Sequence, residues 1–485
     1  MILINPASRR MGIFSEYAPI SIPIGIGCLA AYLLEKGEKV TIHDENIKLL
    51  DEPGIKSLVN NESKPYIFGF SSMTAGISRA MELARLVKNK FPDSRIIMGG
   101  IHPTVMPEEP LNNSPTDAVV IGQGEIALWE LVKAFRAGGT IENIKSIAYK
   151  RGEEIIRTPR NPLISLSNLP DFPYHLFEKN KERYDFPWMI SSLGCPYDCI
   201  FCSQRAITGR EVRYTDNEKV IRQIILLAER YNCDHVGFCD DNLVINKERI
   251  IDLCNRIVEK GLHKKMYFEC QARGDAVNDE VLSAMKKANF RSIFFGIETA
   301  SERLMKLIKK DETLDQIISG IRLAQKYGFI ISATFILGLP TETKEERQAA
   351  YKLAKKLDLD YARFNNATPY PGTELYKIAK QEGRLNPGKD WKYMNAVLTL
   401  VDSPFKPSPL AYVPSTATES ELRKDILRSN LLFSLQPKSI MRYIKGSAQK
   451  GAFALPKGWY YHPKELLVFF RFAFQLLGSF IRIIF

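Results

Sequence analysis

Short apolar runs alternate along this chain with stretches in which apolar residues recur every three to four positions. Residues 1–5, 39–44, 66–72, 95–100 and 117–121 read as strands. Residues 24–35 and 76–90 have helical spacing, and another helix starts at Ile126 after the turn Gly122-Gln123-Gly124-Glu125. This βαβ alternation predicts an α/β domain with a doubly wound, Rossmann-like parallel sheet whose ligands sit at the carboxyl ends of the strands. Gly99, Gly100, Gly122 and Gly124 stand at those ends, where glycine lets a ligand approach the backbone closely. Taken alone, such a sheet could bind a nucleotide, a flavin or nothing.

Residues 150–184 are irregular and proline-rich, with Pro159, Pro162, Pro170 and Pro173, and read as a linker. Strand-helix units then recur: 236–239 into 247–260, 266–271 into 279–288, 292–296 into 302–308, and 330–337 into 344–357. With a last strand at 362–365 and one leading into residue 195, they make six parallel strands, a partial (β/α)6 barrel. Catalytic groups in such barrels gather at the carboxyl ends of strands. Those ends carry Asp240-Asp241-Asn242, Arg273-Gly274-Asp275, Glu298-Thr299 and Gly338-Leu339-Pro340. A carboxylate there could pair with an ammonium, accept from hydroxyls or cap the next helix, and Asp-Asp-Asn is a good capping sequence.

The densest chemistry lies in Gly194-Cys195-Pro196-Tyr197-Asp198-Cys199-Ile200-Phe201-Cys202, a CxxxCxxC triplet within one loop. A cubane cluster has four irons, so three protein thiolates leave one iron open for a substrate or cofactor. The alternatives are a zinc site or buried free cysteines. Structural zinc normally closes its shell with four ligands, and the next cysteine is as far on as Cys233.

On the triplet and the strand ends that follow it, the chain resembles the radical S-adenosylmethionine enzymes over about residues 187–385. It is most similar to the subfamily with an N-terminal cobalamin-binding domain, which includes methylases and the anaerobic porphyrin-ring cyclase. The resemblance implies a 4Fe-4S cluster on Cys195, Cys199 and Cys202, whose open iron chelates S-adenosylmethionine and whose electron cleaves it to methionine and a 5'-deoxyadenosyl radical. It implies Asp240 or Asp241 near the methionine amino group, Arg273 among the cofactor contacts, Glu298 on the ribose, and the backbone around Gly338 and Phe201 at the adenine. Cobalamin would meet Ser71, Ser72, Thr74, Gly99, Gly100, Gly122, Gly124 and Glu125. Many cobalamin proteins carry a DxHxxG loop whose histidine ligates cobalt; here that loop reads Asp44-Glu45-Asn46-Ile47-Lys48-Leu49, without the histidine. His102, before Pro103, reads as structural.

Composition adds compartment and partner. With 485 residues, 45% of them hydrophobic, the chain is too long for one core. The expected organisation is a cobalamin-type domain over residues 1–140, a linker over 141–186, the barrel over 187–385 and a C-terminal region over 386–485. Eight scattered cysteines and no secretory signal fit a reducing, cytoplasmic setting. Of the net charge of +12, +8 lies beyond residue 420, where eleven Lys and Arg face three acidic residues. That tail ends in the aromatic, apolar run 466–485, interrupted by Arg471, Gln475 and Arg482. It suits an interfacial helix and peripheral membrane contact better than nucleic acid, with a core or dimer helix as the alternative. The expected function is C-methylation of a small hydrophobic or lipid substrate, with cyclisation or ring modification of a lipid or tetrapyrrole, or a radical enzyme whose cobalamin-type domain is empty, as the alternatives. The electron would come from a reductant such as flavodoxin or ferredoxin.

Overall fold

The computed structural model describes residues 1–8, 20–60, 62–386, 391–397 and 408–439. A first sheet contains β1 (Ile2–Asn5), β2 (Thr41–Asp44), β3 (Ile67–Ser71), β4 (Arg95–Gly99), β5 (Ala118–Val120), β6 (Ile147–Arg151) and β7 (Glu154–Arg157). Its order is β2-β1-β3-β4-β5-β6-β7, with β1 to β5 parallel and the last two antiparallel.

The central strands are apolar throughout because both faces are covered. Ile2, Ile4, Phe68, Phe70, Ile96 and Met98 pack with the helix Ile77–Lys90. Their neighbours Met1, Leu3, Ile67 and Ile97 pack on the other face with the helices Ile24–Glu35 and Glu125–Ala137. From β1 the chain turns first to β2 on one side and then to β3 on the other. That order opens a crevice between the carboxyl ends of β1 and β3, beside Asn5 and Ser71.

The stretch expected to be linker contributes β6 and β7 as a hairpin on the edge of this sheet. Only Ile147, Ala148 and Tyr149 of β6 are buried, and the remaining charged residues hid the strand pattern.

The second sheet contains β8 (Trp188–Met189), β9 (His235–Phe238), β10 (Tyr267–Ala272), β11 (Phe290–Glu298), β12 (Ile330–Leu337) and β13 (Tyr361–Asn366). All six are parallel and lie in sequence order, and β8 and β13 do not pair, so the barrel is partial. The open edge of β13 is covered by the helix Glu419–Ser434. Asn430 accepts from Phe364 N at 3.1 Å and donates to Phe364 O at 2.8 Å, satisfying backbone groups that an absent neighbouring strand would otherwise take. Arg347 on the helix Lys344–Lys356 pins the same helix by donating to Asp425 at 2.6 Å.

Part of the expected C-terminal region is a strap between the two sheets. Trp391 and Met394 enter the core of the first sheet, and Trp391 donates to Glu109 at 2.5 Å. A few residues on, the carbonyl of Ala396 accepts from Asn366 N at the end of β13. Among the described residues no helix is long and apolar enough to cross a membrane. The apolar tail 466–485 lies outside the described residues.

Candidate functional site

Ser192–Leu193 pairs antiparallel with Arg213–Tyr214, which closes residues 194–212 into a loop at the carboxyl end of β8. Gly194 starts it at φ +105°, and a Cβ there would overlap the Glu211 carbonyl, so only glycine fits. Ile200 anchors the loop to the barrel, its N–H donating to Ile308 O and its carbonyl accepting from Leu375 N. Phe201 packs against the barrel core. Cys195 and Cys199 are half-buried and Cys202 is exposed.

Burial pushes all three thiols up, Cys199 to about 12, and nearby Asp241 and Glu298 oppose ionisation further. A bound cationic centre would favour these sulfurs as thiolates against that burial. Among the described residues no three His, Cys, Asp or Glu side chains converge on one ion.

The strand-end residues divide into engaged and free groups. Asp240 is fully buried and accepts from Ser191 N at 3.0 Å, Ser191 Oγ at 2.7 Å and Ser192 Oγ at 2.5 Å, so it ties β9 to the segment entering the triplet. Arg273, at the end of β10, binds both Asp275 oxygens and the carbonyls of Lys310 and Asp311. Its guanidinium also lies 3.6 Å from the Tyr197 ring, so it braces the triplet loop from below.

By contrast, Asp241 Oδ2, both amide atoms of Asn242 and Glu298 Oε2 are buried without a partner. The capping alternative for Asp240 to Asn242 is not realised, because Asn246 caps the following helix. Burial pushes Asp241 up to about 6 and Glu298 to about 7. Glu298 follows a register shift in β11 and has φ +68°, an uncommon backbone setting for a non-glycine residue.

Glu342 was not singled out in the sequence. Its Oε2 accepts from Gly338 N at 2.5 Å and Leu339 N at 3.2 Å, shaping the turn after β12, and burial pushes it up to about 8. The available signal was a carboxylate four residues after a strand-end glycine.

On the first sheet, Ser71 and Gly99 end paired strands and Ser72 N donates to Gly99 O at 2.8 Å. Gly100, at φ +97°, lies so close to Ser72 that a Cβ would stand 2.6 Å from its carbonyl oxygen. Thr104 Oγ1 accepts from Gly122 N at 2.9 Å, joining the third glycine loop to this rim. Thr74 opens a buried turn under it, and Gly124 precedes the helix that begins at Glu125. Glu125 is buried, its Oε2 has no partner, and burial raises its pKa.

The Asp44 to Leu49 loop is tied to its surroundings, with Glu45 accepting from Ala7 N, Leu50 N and the Arg79 guanidinium. His102 is fully buried between Glu109, 2.9 Å from its Nε2, and the Trp391 ring, as the structural reading expected.

The two sets of strand ends face each other. The helix Ile101–Val105, next to Gly100, packs against the helix Arg205–Thr208, which starts three residues past Cys202. Arg213, also unremarked in the sequence, joins both sides by donating to Gln123 Oε1 at 2.7 Å, Ile164 O at 2.8 Å and Thr208 O at 3.2 Å.

Comparison with known proteins agrees with this pairing of halves. Residues 189–354 match the radical SAM superfamily and residues 12–132 match the B12 binding domain. An uncharacterized methyltransferase of Pyrococcus horikoshii is 33% identical over 427 residues, covering 87% of this chain and 90% of that protein. The chain belongs to the cobalamin-binding radical S-adenosylmethionine enzymes. Its cofactors are a 4Fe-4S cluster, S-adenosylmethionine and cobalamin.

The anaerobic magnesium-protoporphyrin IX monomethyl ester cyclase of Cereibacter sphaeroides is 30% identical to this radical S-adenosylmethionine enzyme over 334 residues, 66% of this chain and 54% of that one. The solved structure of the methyltransferase TsrM from Kitasatospora setae, with cobalamin and a [4Fe-4S] cluster bound, aligns with a TM-score of 0.71 at 15% identity. It covers 90% of this chain and 91% of that chain, a likeness of fold.

Proposed function

We propose that this enzyme transfers a methyl group to an unactivated carbon of an apolar, lipid-like substrate. The observation that supports the reading is the contact between the helices Ile101–Val105 and Arg205–Thr208, which brings the strand end at Gly99 and Gly100 beside the segment that follows the cysteine loop. Cys195, Cys199 and Cys202 would hold the cluster, whose positive charge would offset the burial that raises their thiol pKa values.

Asp241 and Asn242 offer unpaired buried acceptors and donors for the methionine end of S-adenosylmethionine. Glu298 offers one for the ribose hydroxyls. The backbone at Gly338, held by Glu342, and the Phe201 ring would flank the adenine. Ser72, Thr74, Gly100, Gly122 and Glu125 would line the corrin. Asp240, Arg273 and Arg213 act through these residues by fixing the loops that carry them.

The bound groups supply hydrogen-atom abstraction from the substrate carbon and a methyl group to replace that hydrogen, with flavodoxin or ferredoxin as electron source. The protein's share is to orient the carbon between the two edges and keep water and oxygen out. The strap at Trp391 and the helix Glu419–Ser434, whose Leu422 lies against Gly338, close the periphery for that purpose. Incubating the reduced enzyme with S-adenosylmethionine deuterated in its methyl group and a lipid extract tests this. Label in a lipid product supports methylation; an unlabelled product two hydrogens lighter would replace it with ring closure, the reading favoured by the cyclase relative.

A further inference from the structure

A cavity of about 240 Å³ lies between the two halves, and its lining belongs to neither rim alone. One wall is the turn after β5, with Gln123 and Ile126; another is the segment carrying Arg160, Asn161 and Leu163; the third is the Arg205–Thr208 helix with Ile207. Its remaining lining is mostly apolar, and no Asp or Glu is present.

Two donors in it are uncommitted. Arg160 is exposed at the cavity mouth and makes no hydrogen bond or ion pair with the described residues, and the charged group nearest in effect is Arg157, which repels it. Gln123 is oriented by Arg213, which donates to its Oε1. That fixes Nε2 as the other end of the amide; it makes no hydrogen bond of ordinary geometry, and the buried Glu125 carboxyl is the polar group beside it. An acceptor brought into the cavity would give Nε2 a full hydrogen bond, about 0.5–1.5 kcal/mol net. Arg205 on the third wall adds positive charge, though Asp198 partly neutralises it. The volume is below the roughly 300–1,000 Å³ of a whole small-molecule site, so the cavity would take one end of a longer molecule.

We infer that this cavity is a subsite for an anionic end, a phosphate or carboxylate, of an amphipathic substrate whose apolar body runs toward the reacting carbon. The inference rests on the methyl-transfer reading and narrows its substrate class: a wholly neutral hydrocarbon would gain nothing from Arg160 and Gln123. The same chemistry could come from the nucleotide phosphate of the corrinoid, and the test separates the two sources.

The cluster-loaded, cobalamin-loaded enzyme is titrated calorimetrically with octyl phosphate below its micellar concentration and with octanol. The expected result is octyl phosphate binding that falls about tenfold in Arg160→Met, in line with a lost charged hydrogen bond. Arg160→Lys should restore part of it, Gln123→Leu should weaken it, and octanol should bind equally to all. Equal affinity of wild type and Arg160→Met for octyl phosphate, or none in either, overturns the inference.

The apoprotein is titrated in parallel with hydroxocobalamin and dicyanocobinamide, which lacks the nucleotide. Loss confined to hydroxocobalamin in Arg160→Met would assign the subsite to the cofactor tail and overturn the substrate assignment. Substrate-free 5'-deoxyadenosine formation should be equal in wild type and Arg160→Met. Its absence from wild type would fault the radical reading itself, independently of the cavity.

Discussion

Replacing Arg213 by methionine should separate alignment of the two halves from cofactor chemistry. The guanidinium is 8% exposed and reaches three acceptors: Gln123 of the first sheet, Ile164 of the connecting segment and Thr208 of the helix past the cysteines. A charged hydrogen bond contributes about 1.5–3 kcal/mol and an abandoned buried acceptor costs about 1–3 kcal/mol. The variant also avoids burying a guanidinium, and methionine fills part of its volume, so a net loss of about 2 kcal/mol is expected. For a cooperative unit of about 200 residues that lowers Tm by roughly 4–8 °C.

The functional consequence is uncoupling. The cluster loop keeps its own anchors at Ile200 and Arg273, so S-adenosylmethionine cleavage should persist, while labelled methyl product per 5'-deoxyadenosine should fall several-fold. Differential scanning fluorimetry and a paired product assay read both. An unchanged Tm with unchanged coupling would refute the assignment of Arg213 as the staple between halves.

Other consequences follow from single contacts. Gly194→Ala forces a Cβ onto the Glu211 carbonyl at φ +105°; iron retained after reconstitution should drop well below wild type while far-ultraviolet circular dichroism is kept. Asn430→Leu strips the amide from the β13 edge and leaves Phe364 N and O unpaired, a loss of about 1–3 kcal/mol measurable by urea denaturation. Glu342 has its folded pKa raised to about 8 by burial, so the folded state holds a proton that the unfolded state has released, and stability falls as pH rises from about 4.5 to about 8. Glu342→Gln should flatten that decline in a pH series of Tm values for the apoprotein. Deleting residues 464–485 should abolish binding to anionic vesicles if the tail is the membrane contact; unchanged binding and unchanged activity on lipid would remove it from the account.

The sequence was most informative where one physical signal dominated. Strands β1, β3 and β4 are buried on both faces along most of their length, so their apolar runs marked them to within a residue or two, and β12 was legible although only every second residue is fully buried. The hairpin at β6 and β7 was lost because only the first three residues of β6 are buried and no residue of β7 is, leaving too short an apolar run to mark either strand. The cysteine loop was legible because its spacing is local chemistry.

Roles decided by partners far along the chain were not legible. Asp240 and Asp241 are adjacent and look alike in sequence, yet one accepts three hydrogen bonds and the other keeps a free buried oxygen. Arg273, expected among the cofactor contacts, also braces Tyr197 of the cysteine loop, a contact the sequence did not announce. Trp391 lies far beyond the first sheet in sequence but packs into its core, a contact that no local pattern announces.

The central claim is that one cysteine loop and one corrin rim act on the same substrate, and an anaerobic reconstitution tests it most directly. The protein is loaded with iron, sulfide and hydroxocobalamin, its iron and cobalt are counted, and 5'-deoxyadenosine is followed after reduction in wild type and Cys199→Ala. The account predicts about four irons per chain and stoichiometric cobalt in wild type, with deoxyadenosine formed there and absent in the variant. Deoxyadenosine without retained cobalt would contradict the two-cofactor site, and equal iron with equal turnover in Cys199→Ala would contradict the role of the triplet.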